Sequence, residues 1–126
     1  MSPAEPPGEP GGVADPRRPR RSGRPGRPRW RVVRVRGRSM LPTLRPGDLL
    51  LFRGGAVASP GNLVVVRLPG DRPVAVKRLV ARVPEGWWVE RDNPAEGVDS
   101  WLVGAVDEAG LLGRVVLRVH PRPRLF

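Results

Sequence analysis

The hydrophobic positions of the chain fall into short runs with the length and composition of β-strands. From residue 30 onward these runs are rich in Val, Leu and Trp and are separated by clusters of Pro, Gly and Asp, which are typical turn formers. The predicted strands span residues 30–36, 48–53, 62–68, 73–83, 86–90 and 113–120. Only residues 40–44 and 107–112 suggest short helical turns. The pattern therefore predicts one mostly β domain with little helix.

The first 29 residues differ in composition from the rest. They contain eight Pro and five Gly and almost no apolar side chains. Such a segment cannot bury enough apolar surface to offset the entropy lost when its backbone becomes ordered. We therefore predict a disordered Pro/Gly/Arg-rich tail over residues 1–29, a folded domain over residues 30–121, and a C-terminal tail over residues 122–126.

The positive charge of the chain is concentrated at its N-terminal end. The net charge is +11, of which residues 1–38 contribute +8. The Arg-rich run over residues 17–29 can attract nucleic acid or another acidic surface electrostatically. No interleaved aromatic residues or base-reading module accompany this run. We therefore expect a solvated tail that makes at most nonspecific contact with nucleic acid.

The composition excludes several classes of site. The chain has no Cys and one His, His120, so a disulfide framework, a thiol nucleophile and a multi-His metal site are impossible. No apolar run approaches the ~20 residues of a membrane helix, and no secretory leader is visible. Because His120 ends the last predicted strand, directly before Pro121, we expect it at the edge of the domain and outside any catalytic triad.

Two residues lie where a nucleophile and its base would be useful. Ser39 follows the first predicted strand, where Gly37 permits a tight turn and Pro42 prevents a regular helix. Lys77 is the only Lys among 23 cationic residues and lies in an apolar predicted strand. Burial lowers the pKa of Lys, and the neutral amine can activate a hydroxyl, which Arg cannot do. An ordinary turn Ser and a solvated strand Lys are the alternative interpretation.

The segment over residues 91–100 is the third candidate. It follows a predicted strand and is rich in turn-forming residues. Its Asp and Asn side chains can bond to nearby backbone groups and fix a loop, although a plain connection between strands would have the same composition.

Together these segments resemble the ordered sequence boxes of type I signal peptidases. Within that family the chain is most similar to the nickel-type superoxide dismutase maturation proteases, which are short, lack a membrane anchor and have a Gly-Trp-Trp-Val strand before the Asp-Asn-Pro loop. The resemblance covers about residues 31–121. It rests on Ser39-Met40-x-Pro42-Thr43-Leu44, Gly47-Asp48, Val76-Lys77-Arg78, Asp92-Asn93-Pro94 and Asp99-Ser100.

The resemblance implies a Ser/Lys dyad on the β fold that signal peptidases share with self-cleaving repressors. Ser39 would be the nucleophile and Lys77 the general base, with the Ser39 N–H as an oxyanion donor. The remaining implied site residues shape or brace this pair. Gly37 and Met40 belong to the nucleophile turn, Asp48 would hold the turn that follows, and Asn93, Asp99 and Ser100 would brace the loop behind the dyad, with Asp99 paired to Arg78.

The implied function is removal of a short N-terminal leader from a soluble precursor, with nickel-type superoxide dismutase as the expected substrate. No cofactor is implied, because the nickel would belong to the substrate. The missing anchor indicates a cytoplasmic enzyme. Three positions depart from the family pattern: Gly37 and Gly97 replace Ser residues, and Arg91 replaces a Gly.

Other interpretations remain open at this point. The chain could be a signal peptidase-like protease with another leader substrate, an inactive relative, or a β module that its Arg-rich tail carries to nucleic acid. Self-cleavage, as in the repressors, fits poorly. The only Ala-Gly pair, Ala109-Gly110, follows both dyad residues, and no helical DNA-binding module precedes them.

Overall fold

A computed structural model describes residues 29–55 and 57–126 of the chain. Within these residues seven strands form one sheet in the order β1-β2-β6-β3-β4-β5, with β7 paired to β6. Every pairing is antiparallel. The strands are β1 (Arg29–Arg34), β2 (Leu49–Gly54), β3 (Leu63–Arg67), β4 (Val74–Val83), β5 (Gly86–Glu90), β6 (Leu111–His120) and β7 (Arg124–Leu125). The predicted mostly β fold class is confirmed.

The helical segments are short and lie between β5 and β6. Helix α1 spans Ser100–Val103 and was not predicted, because four residues carry no helical periodicity. The helical turn predicted over 107–112 is shorter, a 3₁₀ turn over Glu108–Gly110. It stops there because Leu111 already pairs with Val66 at the start of β6.

The structure describes the predicted C-terminal tail but almost none of the predicted N-terminal tail. The disorder predicted for the N-terminal tail falls on residues 1–28, which lie outside the described residues, and on Arg29, which begins β1. The segment separated as residues 122–126 contains β7, which pairs with β6. Phe126 also packs against the core.

Two hydrophobic clusters lie on opposite faces of β3. Successive side chains of a strand point to opposite faces. Leu63 and Val65 accordingly belong to the first cluster and Val64 and Val66 to the second, all four at most 1% exposed. Residues 63–66 of β3 are therefore buried on both faces of the sheet.

Each cluster is covered by a segment that also reaches the candidate site. Met40 and Leu44, from the connection between β1 and β2, complete the first cluster. Val98, Val103 and Val106, from the connection between β5 and β6, cover the second. The segment that carries Ser39 and the segment over residues 91–100 meet where the Asn93 N–H donates to the Ser39 carbonyl over 2.8 Å.

No helix in the described part of the chain has both the length and the apolar character needed to cross a membrane.

Candidate active site

The turn that carries Ser39 is anchored in the core by apolar side chains. Met40 and Leu44 are 1% and 0% exposed, and a helical-type bond from the Leu44 N–H to the Met40 carbonyl joins them over 2.9 Å. Gly37 has φ +71°, a left-handed conformation that favours glycine. Ser39 lies half-buried between Gly37 and the first anchor.

Asp48 closes the far end of the same connection. Its buried carboxylate accepts a 3.0 Å bond from the Arg45 N–H, and Arg118 on β6 lies 3.5 Å from the same oxygen. The backbone of Val35 also bonds to Gly47 and Asp48, over 2.8 Å in each case. These contacts bring the two ends of the segment together, so that it returns to the sheet at β2.

Lys77 and Ser39 are in direct contact. The Lys77 Nζ donates to the Ser39 Oγ over 2.8 Å. Lys77 is 3% exposed and is the cross-strand neighbour of Val64, so it lies on the face of the second cluster. Burial lowers the pKa of Lys77 from its usual value; the Asp99 carboxylate acts in the opposite direction, and the Arg91 guanidinium lowers it further. The site therefore favours the neutral amine more than water does.

Arg78 pairs with Asp92, and the expected pair with Asp99 is wrong. Its Nη2 lies 2.6 Å from Asp92 Oδ2 and its Nε 3.2 Å from Oδ1. Adjacent strand residues point to opposite faces, so Arg78 points away from the face on which Lys77 lies and reaches Asp92, at the start of the 91–100 segment, instead of Asp99. Thr43 donates to the same carboxylate over 2.6 Å. Burial alone would raise the pKa of Asp92, but the bonds from Arg78 and Thr43 outweigh it and lower the pKa.

Asp99 and Ser100 lie at the base of the 91–100 loop. The buried Asp99 caps α1 by accepting from the Trp101 N–H over 3.1 Å, and its other oxygen accepts from the Arg91 N–H over 3.1 Å. Ser100 Oγ accepts from the Val89 N–H over 3.0 Å. Ser100 therefore joins α1 to β5, and among the described residues it makes no hydrogen bond to Lys77.

Asn93 holds the backbone on either side of Ser39. Its side-chain Nδ2 donates to the Arg38 carbonyl over 2.9 Å, and its own N–H donates to the Ser39 carbonyl over 2.8 Å. In a trans peptide the N–H points away from the preceding carbonyl. The Ser39 and Met40 N–H groups are therefore directed away from Asn93, and neither donates to a group within residues 29–55 and 57–126.

Gly97 packs directly against the nucleophile. Its φ is +100°, and a Cβ at this position would lie 2.4 Å from the Ser39 Cβ. A side chain at position 97 would therefore collide with Ser39 unless the loop moved away. Arg91, the other departure in this loop, donates to the Gly97 and Pro94 carbonyls over 2.8 and 3.2 Å.

The structure thus brings together Ser39, Lys77, Asn93, Asp99 and the nucleophile turn. Sequence reasoning did not assign roles to Asp92, Thr43 or Arg91. The first two were within the quoted boxes, and the alternation of Lys77 and Arg78 on their strand was the signal that Arg78 needs a partner other than Asp99.

His120 and metal ligands play no visible part in this arrangement. His120 is exposed at the end of β6, and no hydrogen bond within the described residues joins it to Ser39 or Lys77. No group of three or more His, Asp or Glu in the described part of the chain is placed to hold a metal ion.

A comparison with known proteins identifies one family. Residues 26–116 match the family model described as Peptidase S24-like. The matched span includes both Ser39 and Lys77, the turn between β1 and β2, and the whole 91–100 loop. No curated protein matches the chain.

Proposed function

This chain belongs to the Peptidase S24-like family, and we propose that it is an active serine endopeptidase with a Ser39/Lys77 dyad. The observation that carries the proposal is the 2.8 Å contact between Lys77 Nζ and Ser39 Oγ, with Lys77 buried. A nucleophilic hydroxyl needs an adjacent base within hydrogen-bond reach. A buried Lys of lowered pKa supplies that base without a His.

The proposed reaction has two steps. Ser39 Oγ attacks the scissile carbonyl carbon while the neutral Lys77 amine takes the hydroxyl proton. The resulting ammonium returns this proton to the leaving amine as the peptide C–N bond breaks, which leaves an ester between the substrate acyl group and Ser39. A water molecule, deprotonated by Lys77, then hydrolyses the ester and regenerates the hydroxyl.

The oxyanion of each tetrahedral intermediate needs donors that are already oriented. The Ser39 N–H is the proposed donor, and the Met40 N–H is a second candidate. Both are directed away from the carbonyls that Asn93 holds. Asn93 would in this way fix the direction of the donors without touching the substrate, which compensates for Gly37 in place of a hydroxyl-bearing residue.

We further propose that the substrate is a soluble precursor with a short N-terminal leader, and that nickel-type superoxide dismutase is the first candidate to test. This finer proposal rests on the sequence resemblance and on the Trp87-Trp88 strand before the loop. It places the enzyme in the cytoplasm, with the nickel belonging to the processed substrate.

Self-cleavage is the less favourable mode for this chain. The Ala109-Gly110 pair lies in the 3₁₀ turn, and Gly110 is buried. A Cβ on Gly110 would lie 2.8 Å from the Arg67 carbonyl, so the backbone there is tightly packed. A peptide bond in this position would have to leave its turn before it could extend into an active site.

Intact-mass spectrometry tests the proposal. The purified protein is incubated alone and with a nickel-type dismutase precursor, beside Ser39→Ala and the matched control Ser59→Ala, which changes an exposed turn residue. A fluorophosphonate probe is added to each protein in parallel. We expect one N-terminal trim of the precursor, and one probe adduct, with the unchanged chain and with Ser59→Ala only.

The outcomes separate the two levels of the proposal. A probe adduct that depends on Ser39, without trimming, would retain the serine peptidase and reject the dismutase leader. A loss of mass from the protein incubated alone would indicate self-cleavage. Neither adduct nor trimming, in a protein shown by circular dichroism to be folded, would reject the active dyad.

A further inference from the structure

Arg91 connects three parts of the 91–99 loop. Its guanidinium donates to the Gly97 carbonyl over 2.8 Å and to the Pro94 carbonyl over 3.2 Å. Its backbone N–H donates to Asp99 over 3.1 Å. One residue therefore fastens the middle and the two ends of the loop to each other.

One of the two carbonyls that Arg91 holds is that of Gly97, the residue that packs against Ser39. Gly97 lies so close to Ser39 that a Cβ would come within 2.4 Å of the Ser39 Cβ. No side chain at position 97 can brace this contact. The position of the loop against Ser39 therefore depends on main-chain groups: the Asn93 N–H bonds the Ser39 carbonyl directly, and the Arg91 side chain holds the Gly97 carbonyl.

The charge of Arg91 has no ion-pair partner in the described part of the chain. Its two guanidinium acceptors are neutral carbonyls, and its Nε–H is buried without an acceptor there. By contrast, Arg78, which lies on the face of β4 opposite to Lys77, forms an ion pair with Asp92. The Asp99 carboxylate bonds the backbone N–H of Arg91 and not its guanidinium, so within residues 29–55 and 57–126 no carboxylate is paired with this charge.

We propose that Arg91 is a positioning residue for the Ser39/Lys77 pair: its guanidinium holds the Gly97 carbonyl and so fastens the loop against the nucleophile, and the same guanidinium, bonded only to neutral carbonyls in the described part of the chain, acts on the base through its charge. The proposal rests on the peptidase function proposed above and adds to it a residue that departs from the family pattern. Arg91 touches neither reacting group; it acts through the Gly97 backbone and through its charge.

The charged groups near Lys77 support this role. Burial makes the largest contribution to the lowered pKa of Lys77, the Asp99 carboxylate raises it, and the Arg91 guanidinium lowers it. The other charged groups of the loop are turned elsewhere, since Asp92 is paired with Arg78 and Glu96 lies 3.8 Å from the exposed Arg38. Arg91 is thus the cation that, together with burial, acts against Asp99 and lowers the pKa of Lys77.

The chain offers a direct measurement, because Lys77 is its only Lys. A protein labelled with ¹³C at Cε of lysine gives a single lysine Cε signal, whose pH titration reports the pKa of Lys77 without substrate. The titration is compared in the unchanged protein, in Arg91→Met, and in Arg67→Met, which removes the same charge from an exposed position on β3. We expect a higher pKa in Arg91→Met and no change in Arg67→Met.

Kinetics provide the second measurement. A displacement of about 1 Å in an active site can cost on the order of 100-fold in rate, so we expect Arg91→Met to lose about 10- to 100-fold in kcat/KM at neutral pH. The loss should be smaller at alkaline pH. A raised Lys77 pKa shifts the acid limb of the pH profile of kcat/KM to higher pH, and at pH values above that limb Lys77 is deprotonated in both proteins. Arg91→Lys keeps the charge, so the acid limb of its pH profile should lie at the same pH as in the unchanged protein. This variant is used only in the kinetic measurement, because it would add a second lysine signal to the titration.

The result that would overturn the proposal is a Lys77 titration in Arg91→Met that coincides with that of the unchanged protein. A loss of kcat/KM that is equal at every pH would overturn the action of the Arg91 charge on Lys77 and leave only the fastening of the loop. If Arg91→Met fails to fold, Arg91→Gln, which removes the charge but keeps side-chain N–H donors, takes its place in both measurements. Absence of Ser39-dependent activity in the unchanged protein would reject the peptidase, while the titration would still decide whether the charge of Arg91 acts on Lys77.

Discussion

The turn that presents Ser39 and the loop that packs on it are built in opposite ways. The turn over residues 36–48 is fixed by apolar side chains, since Met40 and Leu44 are almost completely buried in the first cluster. The loop over residues 91–99 contributes only the half-buried Val98 to the core. It is held instead by the hydrogen bonds of Arg91, Asp92, Asn93 and Asp99.

Because of this difference, we expect the turn to contribute mainly to the free energy of unfolding and the loop mainly to the geometry of the Ser39/Lys77 dyad. Burial of apolar side chains supplies most of the free energy of folding, so the turn should contribute strongly to stability. Hydrogen bonds contribute only about 0.5–1.5 kcal/mol each to stability, but they fix directions. The loop should therefore matter more to the geometry of the dyad than to the free energy of unfolding.

The largest expected effect comes from the base that stands between the two regions. Lys77→Arg replaces the amine with a guanidinium, which stays protonated and therefore cannot serve as the base. General-base catalysis is worth typically about 10²–10⁴-fold, and we expect a loss of kcat/KM of at least that size. The measurement is cleavage of an accepted precursor, with circular dichroism to show that the variant is folded. Near-normal turnover by a folded Lys77→Arg would refute the dyad.

The next effect tests the turn. Leu44→Ala removes a side chain with 0% exposure, and substitutions of this kind cost about 2–5 kcal/mol of stability. Chemical denaturation measures the change, and Leu102→Ala, at a position 62% exposed, is the matched control with an expected change of less than about 0.5 kcal/mol. If Leu44→Ala were as stable as Leu102→Ala, the turn would not be anchored as the comparison requires.

The loop should show the reverse balance. Asn93→Ala removes the side-chain bond to the Arg38 carbonyl, at a cost of about 1 kcal/mol in stability. We expect kcat/KM to fall about 10-fold or more, because loss of one oxyanion donor costs about 10²–10³-fold and this variant only loosens the donor at Ser39. Parallel denaturation and kinetics check the balance. If Asn93→Ala were destabilised so much that the unfolded fraction explained its entire fall in kcat/KM, the loop would contribute to stability as the turn does, and the proposed difference between them would be wrong.

The sequence predicts the turn much better than the loop. The short apolar runs between turn formers predicted the strands, the turn after the first strand and the one Lys in an apolar strand pointed to Ser39 and Lys77, and the family resemblance alone implied the role of Asp48. The pairing of Arg78 with Asp92 was missed although strand alternation alone puts Arg78 and Lys77 on opposite faces. The clasp of Arg91 on Gly97 could not be predicted, because it depends on the path of an irregular loop and follows no periodicity.

The smallest expected effect concerns the one His. His120 is exposed at the end of β6, opposite Leu49, and belongs to neither region that forms the dyad. Replacement by Ala should leave kcat/KM and its pH profile within about twofold, since surface substitutions usually change stability by less than ~0.5 kcal/mol. Activity of His120→Ala across neutral pH checks this. A collapse of activity in a folded His120→Ala would assign the base to His120, and the contact between Lys77 and Ser39 would then be structural.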